Sequence, residues 1–324
     1  MKILTLKSTE IPENLWCSLV NSFNSVFSKS FTVGFFRHKY FTTIKGYSFH
    51  SLYLNEYNEV VGNCTIIPIE YFVNQKTVLV GLTVDIFINE NYRNHTLALV
   101  ELYESIKPLT FADEVQLIVG VPNNKAYSYW KHFIGWKDVG EIPYYALSLR
   151  VGNLIKQFKI LNTFSLFFSY SWLYTFGSIN SLFNFHEARS LIRINRDRSI
   201  IEKQRYNFQH QIKLLNDQTN ISYRIENEDG VIVAYLIDYY NIHKNRTSKA
   251  LFQAISYIIT KEKIDLLLYV GQIKMMQCLL FKVPKRFEPK KLWLMAENLN
   301  MDISDNLLFD FKNWDFGLFN FDVR

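Results

Sequence analysis

The chain has 324 residues, 48% of them hydrophobic, which is enough to bury a core for one large or two ordinary domains and excludes a disordered or fibrous protein. Its 36 Lys and Arg against 30 Asp and Glu leave a net charge of +6, spread along the sequence rather than in a block, which suits an anionic small ligand as well as a nucleic acid. Three widely separated cysteines (Cys17, Cys64 and Cys278) have no paired spacing, so neither a zinc site nor a disulfide framework is indicated and a reducing cytoplasm fits, and the N-terminus turns polar too soon for a signal peptide.

Leu15, Leu19, Val20, Phe23 and Val26 recur at helical spacing, so a first helix is predicted from Glu13 to Phe27. A polar, aromatic segment, Phe35 to Tyr40, and Lys45-Gly46-Tyr47 follow. Strands are predicted at Phe49 to Leu54 and Val60 to Pro68, joined by a turn at residues 55–59. A β-type segment (Leu82 to Ile88) then leads through a basic loop, residues 91–96, into an amphipathic helix (Leu97 to Lys107). A second β-type segment (Val115 to Val121) ends at Pro122-Asn123-Asn124, which opens a helix that closes at Gly135-Trp136. Tyr144 to Arg150 reads as one more strand, so residues 1–150 are expected to form a self-contained α/β domain.

Residues 151–192 read as an apolar connector. The run from Leu161 to Phe176 spans about 16 residues, short of the roughly 20 that cross a bilayer, and serines interrupt it. No transmembrane span is expected; a buried connector or homodimer-interface helix is, with a membrane-surface contact as the alternative. From Arg193 the pattern begins again: a helical segment after Arg196-Asp197, the stretch Tyr206 to Lys213, strands at Ile221 to Asn227 and Val231 to Tyr239, a helix at Ser248 to Lys261, and a strand at Lys263 to Val270. The repeated order suggests an internal duplication. Its turn at residues 241–246 differs in character from the basic loop of the first half, so residues 193–324 are expected to be structural, with a share in binding the acceptor.

A strand, a basic loop and a helix N-terminus in succession make a seat for a phosphorylated ligand, because first-turn N–H groups lack intrahelical acceptors and the helix dipole favours an anion. Arg93 is the candidate cation there and His95 a neighbour of the phosphates. Asp85, on the preceding strand, is a candidate general base for an attacking ammonium, the competing reading being an ion pair that orders the strand. His38 is a candidate substrate contact. No metal site is indicated.

Arg93-Asn94-His95-Thr96-Leu97-Ala98 resembles the Arg-x-x-Gly-x-Gly/Ala motif of the GNAT acyltransferase superfamily, with Thr96 in the place of the first glycine. Val121-Pro122-Asn123-Asn124-Lys125-Ala126 and Gly135-Trp136 resemble the strand, Asn-initiated helix and Gly-aromatic turn that end the GNAT core. The resemblance implies a mixed α/β (α+β) sheet flanked by helices and followed by a second GNAT-like domain, with acyl-coenzyme A as donor. It carries Arg93, Asn94, His95, Thr96 and Ala98 over to the pyrophosphate, Asn123 and Ala126 to the pantetheine, and the amides of Ile86 and Phe87 to the thioester carbonyl. The tyrosine that many GNATs place seven residues after this Asn is Trp130, which leaves Tyr127 and Tyr129 as candidates for protonating the thiolate.

Phe36-Arg37-His38-Lys39-Tyr40, Lys45-Gly46-Tyr47, Arg196-Asp197 and an aromatic, Asp-containing strand, Trp314 to Asp322, are similar, in order, to segments of GNAT proteins of bacterial surface-polysaccharide pathways. That narrower resemblance implies a cytoplasmic N-acyltransferase of lipopolysaccharide O-antigen synthesis, acting on a nucleotide-linked amino sugar such as a dTDP-3-amino-3,6-dideoxyhexose. Arg37, His38, Lys39, Tyr40, Lys45 and Tyr47 would hold that substrate, and no nucleic acid is a partner. An aminoacyl transferase of the tandem-GNAT peptidoglycan type and a non-catalytic interaction module are the alternatives.

Overall fold

The structure, a computed structural model, describes residues 2–204, 212–300 and 302–321. In chain order the elements begin β1 (Lys2–Lys7), α1 (Glu13–Phe27), α2 (Val33–Phe41), β2 (Phe49–Leu54), β3 (Val60–Val73), β4 (Lys76–Ile88), α3 (Ala98–Ala112) and β5 (Val115–Gly120). They continue with α4 (Asn124–Tyr129), β6 (Lys137–Glu141), β7 (Tyr144–Ser148), α5 (Val151–Leu154), α6 (Leu161–Phe183), β8 (Ile192–Ile194) and α7 (Arg198–Gln204). Then come β9 (Ile212–Leu215), β10 (Thr219–Glu228), β11 (Val231–Asn241), α8 (Ser248–Lys261), β12 (Leu266–Val270), β13 (Phe281–Lys282) and β14 (Trp293–Asn298).

The chain divides into two compact units, each built from three stretches of sequence. The first comprises Met1–Glu141, Leu191–Phe208 and Leu292–Trp314. Its sheet runs β1-β2-β3-β4-β5-β14-β6, antiparallel except for the β4–β5 pair, with β8 added against Tyr71–Val73 of β3. Helix α3 buries Ala98, Leu102, Tyr103 and Ile106 against Phe49, Ile66 and Ile118, the spacing that an amphipathic helix on a sheet requires. Asn74 and Gln75 both take positive φ (49° and 69°) and join β3 to β4 in a two-residue hairpin, so that β4 starts at Lys76 rather than at Leu82 as expected.

The second unit comprises Ile142–Ser190, Gln209–Lys291 and Asp315–Arg324. Its sheet runs β13-β7-β12-β11-β10-β9, and α8 buries Ala250, Leu251, Ala254, Ile255 and Ile258 against Leu147, Leu236 and Leu267. The segment β10-β11-α8-β12 repeats β3-β4-α3-β5, down to the parallel pair that brackets the helix. In each sheet the strand beyond that pair comes from the other half of the sequence: β14 lies between β5 and β6, and β7 between β12 and β13.

Several expectations are corrected here. β7 pairs in the second sheet and β14, which the pattern of the sequence did not predict, pairs in the first, so residues 1–150 hold neither all nor only the strands of the first sheet. The polar, aromatic segment after α1 is helical, as α2. The stretch Trp314 to Asp322 is a strand only at Trp314–Asp315, and Asp322, like residues 206–211, lies outside the described residues.

Helix α6 is not a buried connector. It extends to Phe183 and buries Ser169, Leu173, Gly177 and Asn180, leaving Phe164, Phe167 and Phe168 at 68%, 76% and 59% exposure. Its buried stripe is narrow because small residues carry it, Ser169 donating to Ser148 O at 2.7 Å. Among the described residues no helix is long and apolar enough to cross a membrane.

Candidate active site

β4 and β5 pair in parallel from Leu79–Val115 to Leu82–Val119, and there the pairing ends, although β4 continues to Ile88. The pairing stops one residue short of the end of β5, at the end where β4 leads into the loop before α3. Just beyond it, β4 bulges. Val84 pairs with Thr65 and Phe87 with Asn63, so Asp85 and Ile86 both stand opposite Cys64.

Asp85 takes φ +52°, a conformation that Asp tolerates better than most residues. Three interactions hold it there. Lys39 Nζ lies 2.8 Å from Asp85 Oδ2, Tyr40 OH donates to the same oxygen at 2.6 Å, and Asn63 Nδ2 donates to the Asp85 carbonyl at 2.7 Å. The side chains of Lys39 and Asp85 are 3% and 0% exposed, so the pair is sealed from solvent.

A buried polar network continues beneath the bulge. Asn63 Nδ2 also donates to Thr65 Oγ1 at 2.9 Å, Thr65 Oγ1 lies 3.1 Å from His50 Nδ1, and His50 Nε2 lies 2.9 Å from Ser48 Oγ. Burial of the imidazole lowers the His50 pKa from 6.5 to about 3, so the ring is neutral across the physiological range. His50, Asn63 and Thr65 were not singled out from the sequence. The available signal was three polar residues inside strands that otherwise read as apolar.

The loop after β4 is ordered by its own contacts. Arg93 Nε donates to Ile88 O at 2.9 Å and Arg93 Nη1 lies 3.3 Å from Glu90 Oε1, while His95 Nε2 lies 3.0 Å from Glu101 Oε1. Asn94 and Thr96 are exposed, and α3 begins at Ala98 without a side-chain cap from Leu97. Tyr129 OH donates to Thr96 O at 2.7 Å, so α4 is tied to this loop.

Asn123 caps α4, its side chain accepting from Ala126 N at 2.9 Å, and Ala126 packs against the core. Tyr127 OH donates to Asp138 Oδ1 at 2.8 Å, and Lys131 is paired with the same carboxylate. Burial raises the Tyr127 pKa, and Asp138 adds to the rise; burial also raises that of Tyr129, so both hydroxyls hold their protons at neutral pH. Past α4 the chain forms a π-helical turn, Trp130–Ile134, closed by Gly135 at φ +86°. Trp130 is buried against Trp136 and Tyr103, which makes it a core residue.

The structure does not gather the expected acceptor residues into one site. Lys39 and Tyr40 turn inward onto Asp85, which corrects their placement as surface ligand contacts: a buried carboxylate demands those partners. Arg37 pairs with Glu13 and lies 5.6 Å over the Trp16 ring. Tyr47 OH lies beside Lys7 Nζ and Asp113 Oδ2, at 3.2 and 3.1 Å. His38 is exposed and Lys45 partly so. Ile86 packs against the core and Phe87 is buried against the Phe23 and Phe27 rings. Among the described residues no group of three His, Cys, Asp or Glu side chains is placed to hold a metal ion.

No protein-family model and no curated protein sequence matches this chain. Solved structures do resemble it. A probable N-acyltransferase from Enterococcus faecalis V583 is similar at 10% identity over 93% of this chain and 74% of its own, with a TM-score of 0.55. A GCN5-related N-acetyltransferase from Anabaena variabilis gives a TM-score of 0.54 at 10% identity over 92% and 73% of the two chains. Another from Kribbella flavida gives 0.52 at 11% identity over 92% and 72%. The mixed sheets flanked by helices match these structures in fold, and the chain has the fold of the GCN5-related N-acetyltransferases.

Proposed function

We propose that the first unit binds an acyl-coenzyme A in the opening between β4 and β5 and transfers the acyl group to an amine. The observation that carries this reading is the end of β4–β5 pairing at Leu82 and Val119, immediately before the bulge at Asp85 and Ile86. An extended pantetheine arm fits where one strand leaves another, and the amides of Ile86 and Phe87 are the candidate donors to the thioester carbonyl as it becomes an oxyanion. The N-terminus of α3 favours the pyrophosphate, with Arg93, Asn94, His95, Thr96 and Ala98 around it. Asn123 and Ala126 line the far side. The similar structures from other organisms, described as N-acetyltransferases or as a probable N-acyltransferase, support the same reading.

In the reaction the neutral amine nitrogen attacks the thioester carbon, the carbon–sulfur bond breaks, the thiolate takes a proton from a tyrosine hydroxyl, and the proton that the nitrogen sheds on becoming an amide passes through solvent and restores that hydroxyl. Both tyrosine hydroxyls donate within the protein, Tyr129 to the Thr96 carbonyl and Tyr127 to Asp138; Tyr129 is the preferred donor, because its partner is a single neutral carbonyl whereas Tyr127 is held between Asp138 and Lys131. Asp85 serves as the anchor of the bulge rather than as the base. For the acceptor we propose a nucleotide-linked amino sugar, on the order of motifs at residues 36–47 and 196–197, with the exposed His38 and the partly exposed Lys45 as its candidate contacts in that segment.

Thermal-shift measurements with coenzyme A and acetyl-coenzyme A test the donor. Saturation at about a hundredfold over Kd adds roughly 2.7 kcal/mol of stability, and no shift at saturating ligand would overturn the proposal. Acyl-coenzyme A of several lengths, incubated with dTDP- and UDP-amino sugars and read by mass spectrometry, tests the acceptor. A second reading, a non-catalytic GNAT fold, is favoured by the internal partners already held by Asp85, Tyr127 and Arg93. Binding of coenzyme A without turnover of any amine would support it.

A further inference from the structure

Helix α6 carries no Asp, Glu, Lys, Arg or His between Leu161 and Phe183. Its solvent-facing side at the N-terminal end bears Phe164, Phe167 and Phe168, preceded by Phe158 and Ile160, each at 69% exposure. This surface is continuous with a second one. Phe168 shares an apolar cleft of about 690 Å³ with Leu147, Leu268, Phe281, Pro284 and Phe287, and Phe287 is 64% exposed at its edge. Trp172 fastens the two sides, its Nε1 donating to Cys278 O at 2.6 Å and its ring lying 5.3 Å from that of Phe281.

The rim of this apolar surface is basic. Between Lys282 and Lys291 there are five cationic side chains (Lys282, Lys285, Arg286, Lys290 and Lys291) and one acidic one, Glu288, and all five cationic residues are exposed. Lys156 and Lys159 add to it where the chain enters α6. Contiguous exposed aromatics of this extent mark an interaction surface.

We propose that this face of the second unit docks on an anionic lipid bilayer, with the phenylalanines of α6 and Phe287 entering the headgroup–acyl boundary and the lysines and Arg286 lying against the phosphates. Aromatic residues beside a cationic rim are the combination that interfacial binding uses, apolar area and anionic headgroups each adding to the affinity. Long Lys and Arg side chains lay their methylene stems along the apolar surface while keeping the charge at headgroup level. Charge decides against a second copy of the chain. A twofold interface places a patch against itself, and here it would bring a rim of seven cations against the same seven, with one carboxylate, Glu288, from each copy. The inference is independent of the acyl-transfer reading.

Sedimentation of the full-length protein with vesicles tests it. The protein is expected to pellet with vesicles of phosphatidylcholine and phosphatidylglycerol, and far less with phosphatidylcholine alone. High salt reduces the bound fraction. Lys285→Glu and Arg286→Glu should each weaken partitioning by at least about fivefold. Phe167→Ser with Phe287→Ser should abolish pelleting while thermal unfolding stays that of the parent, since both side chains are exposed. No pelleting with either vesicle overturns the proposal. So does a concentration-dependent dimer in the absence of lipid that the same phenylalanine substitutions dissolve.

Discussion

Lys39 Nζ lies 2.8 Å from Asp85 Oδ2, joining a helix to a strand bulge across a sequence separation of 46 residues, with both side chains sealed from water. The carboxylate that the sequence offered as a base, or as an ion pair ordering the strand, is ion-paired at the bulge of β4. Removing one partner of such a pair leaves an uncompensated buried charge. Lys39→Met is expected to cost about 3–5 kcal/mol in urea unfolding, and adding Asp85→Asn to recover much of that loss. If the two changes simply add, the pair is not coupled.

Asn63 donates to the Asp85 carbonyl and to Thr65 at once. Asn63→Ala should destabilise by about 1–3 kcal/mol, since buried acceptors are left unmet. It should also weaken coenzyme A binding, because the bulge loses a strut. Calorimetric titration beside thermal unfolding separates the two effects, and unchanged affinity in a destabilised protein would show that the strut serves folding alone.

His50 gives a pH dependence of known sign. Its folded pKa of about 3 lies below the ordinary 6.5, so between those values the unfolded chain takes up a proton that the native one refuses. The contribution of the neutral ring is full above pH 6.5 and is lost as pH falls toward 3. His50→Gln should flatten the fall in melting temperature over that interval. A fall as steep as in the parent would assign it to other groups.

Arg246 is buried with Asp238 Oδ1 at 2.8 Å and Asp315 Oδ1 at 2.7 Å, just ahead of α8. It fills, in the second unit, the position before the helix that the exposed loop 93–97 occupies in the first. Arg246→Met is expected to cost about 3–5 kcal/mol, with partial recovery on adding Asp238→Asn, measured by urea unfolding. No acyl-coenzyme A should bind near this helix, since a guanidinium and its carboxylates already fill the place.

What was legible in the sequence was local. Helix α1 and helix α8 fall at the residues their apolar period marks, and β2 at the run that its β-formers mark, because each is decided by its own side chains. The Gly-aromatic turn at Gly135-Trp136 and the capping Asn123 were also readable. The Lys39–Asp85 pair was not, since Lys39 reads as a surface cation until a fold brings a carboxylate over it. β14 escaped notice because Trp293–Asn298 is short and follows a charged loop, so its identity as a strand rests on partners far away in the sequence. In α6 the error ran the other way. Apolar composition reads as burial, and only the packing of Ser169, Leu173, Gly177 and Asn180 shows which narrow side is covered.

The placement of β7 and β14 bears on how the protein comes to be made. As the chain leaves the ribosome, the strands from β1 to β6 are complete long before residues 293–298 exist, and until those arrive β5 and β6 have no strand between them to pair with. The nascent first half therefore carries open sheet edges while the second half is being translated. A fragment ending near residue 150 is expected to aggregate, and adding the missing strand as a separate peptide would not restore it, because β7 would still lack the second sheet in which it pairs. Neither half of the sequence supplies all the strands of one sheet, although each resembles the other in plan.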